Sequence, residues 1–221
     1  FKEGDIGIYE VFFNYKYRFL NMNNDYSRNM IIPDVNILCE NTYTLNKSEL
    51  EKLNVFLTKH NQAFQLLNSI IDNFTYSYKL LYNAKAFEQI ITTLEMLFLK
   101  KYESDKTQNL SKRVATFIGN DDVEVEKLYN EVKSFYKHRS DSTHEGIDLN
   151  ITKKALLYLK IYTRRAIKKY FSIIEEELSI NPSGDFATIK GKTILKLQQN
   201  VITKINEGIL PSNQKRSYKR R

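Results

Sequence analysis

The chain has 221 residues, of which 42% are hydrophobic and 27% charged, as expected for a globular protein with its own core. Only 7 glycines and 3 prolines occur, which argues against an all-β or loop-rich protein, and the net charge of +8 favours an anionic partner such as nucleic acid. The one cysteine, Cys39, excludes an internal disulfide and any multi-cysteine zinc site.

No apolar run approaches the roughly 18 residues that a membrane-spanning helix needs. A chain with a lone cysteine and no such run is typical of a reducing compartment, so we expect a cytoplasmic protein with no membrane partner. Cys39 itself lies in an apolar stretch and is expected to be a buried structural thiol.

The first 45 residues predict extended structure. Between Asp5 and Leu20, β-branched and aromatic residues partly alternate with polar ones, and Met30–Cys39 is a second extended stretch whose Pro33 suits a sheet edge. Two strands are too few for a stable sheet, and the chain begins without an initiator methionine. We therefore expect residues 1–45 to be a β-rich segment at the end of an upstream domain.

From Asn46 onward the apolar residues repeat at helical spacing. The stripes predict helices that start at Asn46 and Asp121 and helices over Phe64–Tyr78, Ala84–Lys100, Leu110–Ile118, Asn150–Leu178 and Ala187–Glu207. Gly119 is expected to end one helix, Asp121 to start the next, and Asn150 to cap the long one. The fold class is therefore mainly α, helical over 46–180, with a C-terminal helix and basic tail over 181–221.

Few motifs for chemistry are present. The histidines are His60, His138 and His144, and no two of them are spaced i, i+4 as metal ligands on a helix would be. There is no glycine-rich phosphate loop and no G-x-S-x-G nucleophile elbow. The sequence therefore predicts neither a metal nor a cofactor, with His60 and His138 as surface residues.

Arg139 and His144 form the one pair that predicts a reactive site. Four small or polar residues separate them near a predicted helix end, which Gly146 marks. A histidine in a last helical turn faces the negative end of the helix dipole, which favours its protonated form and suits proton donation near neutral pH. Arg139 offers a planar cationic fork that matches phosphate oxygens.

Three blocks in order resemble the HEPN superfamily and, within it, the Apea-like group. Thr93–Phe98 is similar to the family's "LEALF" helix, and Leu110–Gly119 is similar to the helix that follows it. Leu128–Gly146 resembles the block with the hallmark R-x4-6-H, here Arg139 and His144, although Asp141–Thr143 is more polar than the family pattern. The resemblance extends over roughly half of the chain.

The resemblance implies an HEPN bundle of four to five helices over residues 46–180 that forms a homodimer, with two motifs meeting across a two-fold axis. Active members cleave RNA without metal: the 2′-hydroxyl attacks the adjacent phosphate and leaves a cyclic phosphate end. His144 would act as general base or acid, and Arg139 would stabilise the charged phosphorane. The implied role is a toxin or phage-defence effector of the abortive-infection kind, with an antitoxin or an upstream sensor domain as a further partner.

Glu95 and Ser140 are the predicted supporting residues. Glu95 stands on an otherwise apolar helix, where it either orients Arg139 across the bundle, pairs with Arg113, or is a solvated edge charge. Ser140 either hydrogen-bonds within the site or caps backbone groups.

A basic helix supplies the predicted RNA contacts. Residues 151–174 carry seven lysines and arginines and no acidic residue, a pattern that can follow a phosphate backbone or simply be a solvated face. Lys160, Arg164 and Lys168 are the RNA-binding candidates. The alternatives to a nuclease are a non-catalytic HEPN module for RNA binding or protein assembly, and a helical scaffold whose motif match is accidental.

Overall fold

The computed structural model describes residues 47–80, 82–145 and 151–212; for 49, 50, 53, 56, 57, 59 and 140–145 the description is of the backbone. The predicted β-rich segment, Cys39 and the basic tail lie outside these ranges. The chain divides into two compact units, residues 1–65 and 66–221. The boundaries predicted at 45/46 and 180/181 stay predictions.

The described residues are mainly helical, as predicted, and contain no strand. The first unit contains α1 (Lys47–Lys59) and the first residues of α2 (Asn61–Tyr76). The second unit contains the rest of α2, a 3₁₀ turn (Ser77–Lys79), α3 (Asn83–Phe98), α4 (Lys106–Ile118), α5 (Asp122–Glu145), α6 (Lys153–Ile180) and α7 (Phe186–Asn206). Among these described helices, none combines the length and the apolar character that crossing a bilayer requires.

Helix α4 is the central element of the second unit. It packs most extensively against α5 and also contacts α3, α6 and α7. Its residues are therefore buried almost all round, including polar ones: Ser111, Lys112 and Arg113 are all under 4% exposed. Ser111 satisfies its hydroxyl by donating to the carbonyl of Thr107 at 2.6 Å.

The junction between α4 and α5 is tight and has the predicted limits. Gly119 follows the last residue of α4, and its N–H donates to the carbonyl of Ala115. Asp121 caps α5 because its Oδ1 accepts from the backbone N–H of Glu124 at 2.8 Å, while the Glu124 carboxylate accepts from the N–H of Asn120. Both ends of the turn are thus satisfied within a few residues of sequence.

The predicted cap of the long helix was wrong. Helix α6 begins at Lys153, and Thr152 is its N-cap: the Thr152 hydroxyl accepts from the N–H of Ala155 at 3.1 Å. Asn150, the predicted cap, lies outside the described residues, two positions before the cap that the structure uses.

The C-terminal end of α3 is held by side chains from three other helices. Its last carbonyls lack partners within the helix and would otherwise be buried unsatisfied. Lys190 of α7 donates to the carbonyl of Met96 at 2.5 Å, Tyr170 of α6 to that of Leu97 at 2.9 Å, and Arg113 of α4 to that of Phe98 at 2.7 Å. These bonds fix α3, and with it Glu95, against the rest of the second unit.

Candidate active site

The backbone of α5 carries both residues of the predicted motif. The helix is continuous from Asp122 to Glu145, so His144 lies in its last described turn and Arg139 in the turns before it. In a regular helix, five residues span about 7.5 Å along the axis and turn through about 140°. The side chains of Ser140 and His144 are not among those described, so the structure defines the Arg139 part of the candidate site.

Arg139 is held by an ion pair across the bundle. Its Nη1 donates to Oε1 of Glu95 on α3 at 2.8 Å. The hydroxyl of Tyr136 donates to the same oxygen at 2.6 Å, and the Arg139 guanidinium carbon lies 5.7 Å from the centre of the Tyr136 ring. One carboxylate oxygen therefore receives two donors, and the guanidinium is restrained by both the charge and the ring.

The sequence explains why these three side chains meet. Tyr136 and Arg139 are spaced i, i+3 on α5, so they lie on the same side of that helix. Glu95 is polar among buried positions of α3: Leu94, Leu97 and Phe98 are each 0% exposed and fix the rotation of the helix. The carboxylate is thereby directed to the edge of the core, where the Arg139 and Glu95 side chains are 29% and 18% exposed.

The environment keeps Tyr136 protonated. Burial raises the pKa of Tyr136, and its hydrogen bond to Glu95 and the charge of that carboxylate raise the pKa further, while Arg139 opposes them. The phenol is therefore a neutral hydrogen-bond donor at physiological pH, and it orients Glu95 without removing protons from another group.

Three alternatives were predicted for Glu95: orienting Arg139, pairing with Arg113, or lying at a solvated edge. Glu95 contacts Arg139, whereas Arg113 forms a bidentate ion pair with Glu103, with N···O distances of 2.6 and 2.7 Å. That Glu95 serves catalysis stays a prediction. Tyr136 was not among the predicted site residues, although its position three residues before Arg139 was a usable signal.

The cations of the predicted basic helix, which is α6 in the structure, lie on two faces of that helix. Arg165 donates to the carbonyl of Ile118 and pairs with Glu124 at 2.7 Å, and Lys169 donates to the carbonyl of Phe117 at 2.5 Å. These two cations therefore stabilise the C-terminal end of α4. Lys160 and Arg164 instead meet at Tyr78, and Lys168 is exposed.

Comparisons of the chain with family models, with curated proteins and with solved structures found no match. In the part of the chain that the structure describes, no three His, Cys, Asp and Glu residues are grouped as metal ligands would be. His138 is exposed on α5, as predicted.

Proposed function

We propose that this chain is an HEPN-type, metal-independent endoribonuclease with Arg139 and His144 as its catalytic residues. The family assignment comes from the three sequence blocks. The observation that carries the proposal is the ion pair of Arg139 with Glu95, because it holds a cationic fork at the partly exposed edge of the core, near the end of α5 where the motif histidine follows.

The proposed reaction needs two kinds of help. A base removes the proton from the ribose 2′-hydroxyl, whose oxygen attacks the adjacent phosphorus; an acid protonates the departing 5′-oxygen. The products are a 2′,3′-cyclic phosphate and a 5′-hydroxyl. His144 moves one of these protons. Arg139 balances the extra negative charge of the phosphorane, and its restraint by Glu95 and Tyr136 reduces the reorganisation needed at that moment.

Replacing either residue by alanine tests the proposal. Arg139→Ala and His144→Ala should each lower cleavage of a labelled RNA pool by at least about 100-fold, the range typical of missing acid–base or oxyanion assistance. RNA affinity should change far less than turnover, because both groups act mainly in the transition state. Circular dichroism should show that both variants remain helical.

The matched control is His138→Ala, which removes an exposed histidine from the same helix. It should cut at the rate of the unmodified chain, and chelators should leave that rate intact. Cleavage by folded Arg139→Ala or His144→Ala at the unmodified rate, or loss of activity on chelation, would contradict the assignment of the site.

A second candidate is a non-catalytic HEPN module for RNA binding or protein assembly. It is favoured by the same ion pair, because a carboxylate at 2.8 Å already neutralises part of the positive charge that a phosphorane would need. An unmodified chain that binds RNA but cuts none, in any condition or pool, would favour this candidate. The role as a toxin or phage-defence effector rests on the resemblance and belongs to the nuclease proposal.

A further inference from the structure

Three side chains of α6 are aligned along one side of the helix. Lys154, Tyr158 and Tyr162 are spaced i, i+4 and i+8, so they lie one above another. The rings of Tyr158 and Tyr162 are parallel to within 9°, and their centres are 6.3 Å apart. The Lys154 Nζ lies 5.8 Å from the centre of the Tyr158 ring. A cation and two rings therefore form a ladder on α6, which we call the tyrosine ladder.

The inner ring of the tyrosine ladder, Tyr162, is fixed. It is 6% exposed, and its hydroxyl donates to the carboxylate of Glu131 on α5. Burial raises the pKa of Tyr162, and the hydrogen bond to Glu131 and the charge of that carboxylate raise the pKa further, so the phenol stays a donor at physiological pH. Because Tyr158 stacks on this fixed ring, it has less side-chain freedom to lose when a ligand binds.

The outer end of the ladder is accessible. Tyr158 is only partly buried, and Lys154 is exposed. Parallel rings in contact are about 3.5–4 Å apart face to face, so a centre distance of 6.3 Å means that the rings are offset and that Tyr162 covers only part of the Tyr158 face. A cation–π contact at an exposed site is weak, so a flat ligand can displace the Lys154 ammonium from the other face.

Two ion-pair and hydrogen-bond contacts give the relative direction of α5 and α6. Glu131 contacts Tyr162, whereas Glu124, nearer the start of α5, contacts Arg165, farther along α6. The two helices therefore run antiparallel, and the C-terminal end of α5 lies beside the N-terminal end of α6.

The outer end of the ladder lies at the same level as the candidate active site. Lys154 precedes Tyr162 by eight residues and Arg139 follows Glu131 by eight, so both are displaced about 12 Å in the same direction along the antiparallel pair. Around α5, Arg139 is turned about 80° from Glu131, which places it on a neighbouring side of that helix. Tyr158 lies about 6 Å short of the Arg139 level, a separation that a dinucleotide can span.

We propose that Tyr158 is a stacking platform for one base of single-stranded RNA, in a nucleotide next to the phosphate that Arg139 would bind. Stacking uses the π-face that every base has, so the platform gives affinity with little sequence preference. Lys154, displaced from the ring, pairs with a phosphate of the same strand. That the ligand is RNA rests on the proposed function, although the ladder itself contains neither Arg139 nor His144.

Binding of an uncleavable strand tests the platform without cleavage. A fluorescent 2′-O-methyl RNA lacks the attacking hydroxyl, and its anisotropy measures affinity. Tyr158→Ala should lower the affinity about tenfold, the order typical of one base stacked on an aromatic ring, whereas Tyr158→Phe keeps the ring and should bind like the unmodified chain. The matched control is Tyr102→Ala, which removes a tyrosine 89% exposed with Lys101 at 5.0 Å from its ring centre, and it should leave the affinity unchanged.

Strands that lack one base distinguish stacking from an indirect effect of the substitution. In a series of 2′-O-methyl strands with one abasic position each, a particular position should lower the affinity of the unmodified chain about tenfold. The same missing base should cost Tyr158→Ala little, because the ring that stacked on it is gone. If Tyr158→Ala instead lowered the affinity for every strand by the same factor, the ring would act only through the fold, and the platform would be overturned.

The salt dependence of binding tests the role of Lys154. Lys154→Gln should reduce the slope of log affinity against log salt by about 0.7, the contribution of one cation that neutralises a single-strand phosphate, whereas Tyr158→Ala should leave the slope unchanged. The control, Lys196→Gln, removes an exposed charge from α7 and should not alter the slope. Equal slopes for Lys154→Gln and Lys196→Gln would overturn the phosphate contact.

A photo-crosslink to the unmodified chain keeps the test open if Tyr158→Ala does not fold. 5-Iodouridine in the strand reacts on irradiation with an aromatic ring that is stacked on it. Mass spectrometry should locate the adduct at Tyr158 and find none at Tyr82, which is 75% exposed. A bound complex that gives no adduct at Tyr158 would overturn the platform.

The binding results separate this proposal from the nuclease proposal. If the unmodified chain cleaves no RNA but Tyr158 is coupled to one base, the nuclease proposal fails and the platform stands. If the chain cleaves RNA and Tyr158→Ala binds every strand like the unmodified chain, the platform fails. Unchanged RNA affinity with altered sedimentation of Tyr158→Ala would also overturn the platform, because the ladder would then be a contact between copies of the chain.

Discussion

Glu95 has two opposed effects on Arg139. The carboxylate holds the guanidinium at 2.8 Å, so Arg139 would lose less conformational entropy when it binds a phosphate. It also offsets part of the positive charge that a phosphorane would use. The hydrogen bond from Tyr136 to the same oxygen weakens the carboxylate as an acceptor.

If the nuclease proposal is right, Glu95 should help cleavage more by positioning Arg139 than it hinders cleavage by offsetting the Arg139 charge. Glu95→Gln keeps an oxygen that accepts from both donors but removes the charge that holds Arg139. We expect kcat to fall about tenfold with little change in KM, since a hydrogen bond to a charged acceptor contributes about 1–1.5 kcal/mol more than one to a neutral acceptor. The measurement is initial rates of RNA cleavage over a range of substrate concentrations.

The control for this change is Glu88→Gln on the same helix, which removes an ion pair with a lysine that is 66% exposed. It should retain the unmodified kcat. A Glu95→Gln variant that cuts faster than the unmodified chain would show that neutralisation, not positioning, is the larger effect.

The buried pair of Glu103 and Arg113 should make stability depend on pH. Burial raises the pKa of Glu103, but hydrogen bonds from Arg113 and from the Lys100 N–H, with their charges, outweigh it and hold the pKa below its ordinary value of 4.5. A carboxylate with a depressed pKa stabilises the fold above its unfolded pKa and loses that contribution as pH falls through its folded pKa.

Glu103→Gln should therefore lower the free energy of unfolding by about 2 kcal/mol at pH 7, because a nearly buried guanidinium loses its counter-charge. The difference from the unmodified chain should shrink as pH falls below 4.5. Urea unfolding at a series of pH values from neutral down to well below that pKa measures it. A difference that is constant across that series would show that Glu103 acts through packing alone.

At the scale of the helices, most of the second unit could be predicted from the sequence. The apolar stripes located α3, α4, α5, α6 and α7 to within a few residues, because those stripes are what the core requires. The cap of α6 was less predictable: Asn150 and Thr152 are both good N-caps, and the sequence alone does not decide which one precedes the first helical turn.

Gly119 was predicted correctly as the end of α4 but for a different physical reason. A glycine at that position usually adopts a left-handed conformation. Here its φ is −68°, which any residue can adopt. The reason is space: a Cβ on Gly119 would lie 2.5 Å from Cγ2 of Val125 and 2.7 Å from the carbonyl oxygen of Ala115. Such close approach between α4 and α5 depends on the folded chain and is not visible in the sequence.

Replacing each of two glycines by alanine should therefore change the stability of the protein in opposite directions. Gly119→Ala should destabilise the protein by about 1–3 kcal/mol, because the clash is partly with backbone that cannot move cheaply. Gly191→Ala should stabilise it by about 0.5–1 kcal/mol, since that glycine is inside α7 and nothing lies within 4 Å of its added Cβ. Thermal unfolding of both variants measures the difference, and a stabilising Gly119→Ala would contradict the packing described at this turn.

For the whole molecule, the sequence named residues but left their partners open. Contact of Glu95 with Arg139 was one of three alternatives for a pair that lies 44 residues apart, and nothing pointed to the contact of Tyr78 with Arg164, 86 residues apart. Helical periodicity reports which face of a helix is buried, not which helix covers it. The contact between Tyr78 and Arg164 therefore had no signal in the sequence, whereas the spacing of Tyr136 and Arg139 within one helix did.

The nuclease proposal also makes a prediction about assembly. A phosphorane carries more charge than one arginine can balance, and the resemblance implies two motifs that meet across a two-fold axis. We expect a homodimer at micromolar concentration, measurable by sedimentation or light scattering, with the Arg139 end of α5 at the interface. A strict monomer that still cleaves RNA would contradict a shared site.

The anchored end of α3 has a consequence for where harmful substitutions should fall. Lys190, Tyr170 and Arg113 bind the three carbonyls that follow Glu95, and they come from three other helices. A substitution in α7, far from the motif in sequence, can therefore shift Glu95 and with it the Arg139 side chain. If the nuclease proposal is right, substitutions in α7 that lower RNA cleavage in a random mutational screen would report the alignment of the Arg139 site.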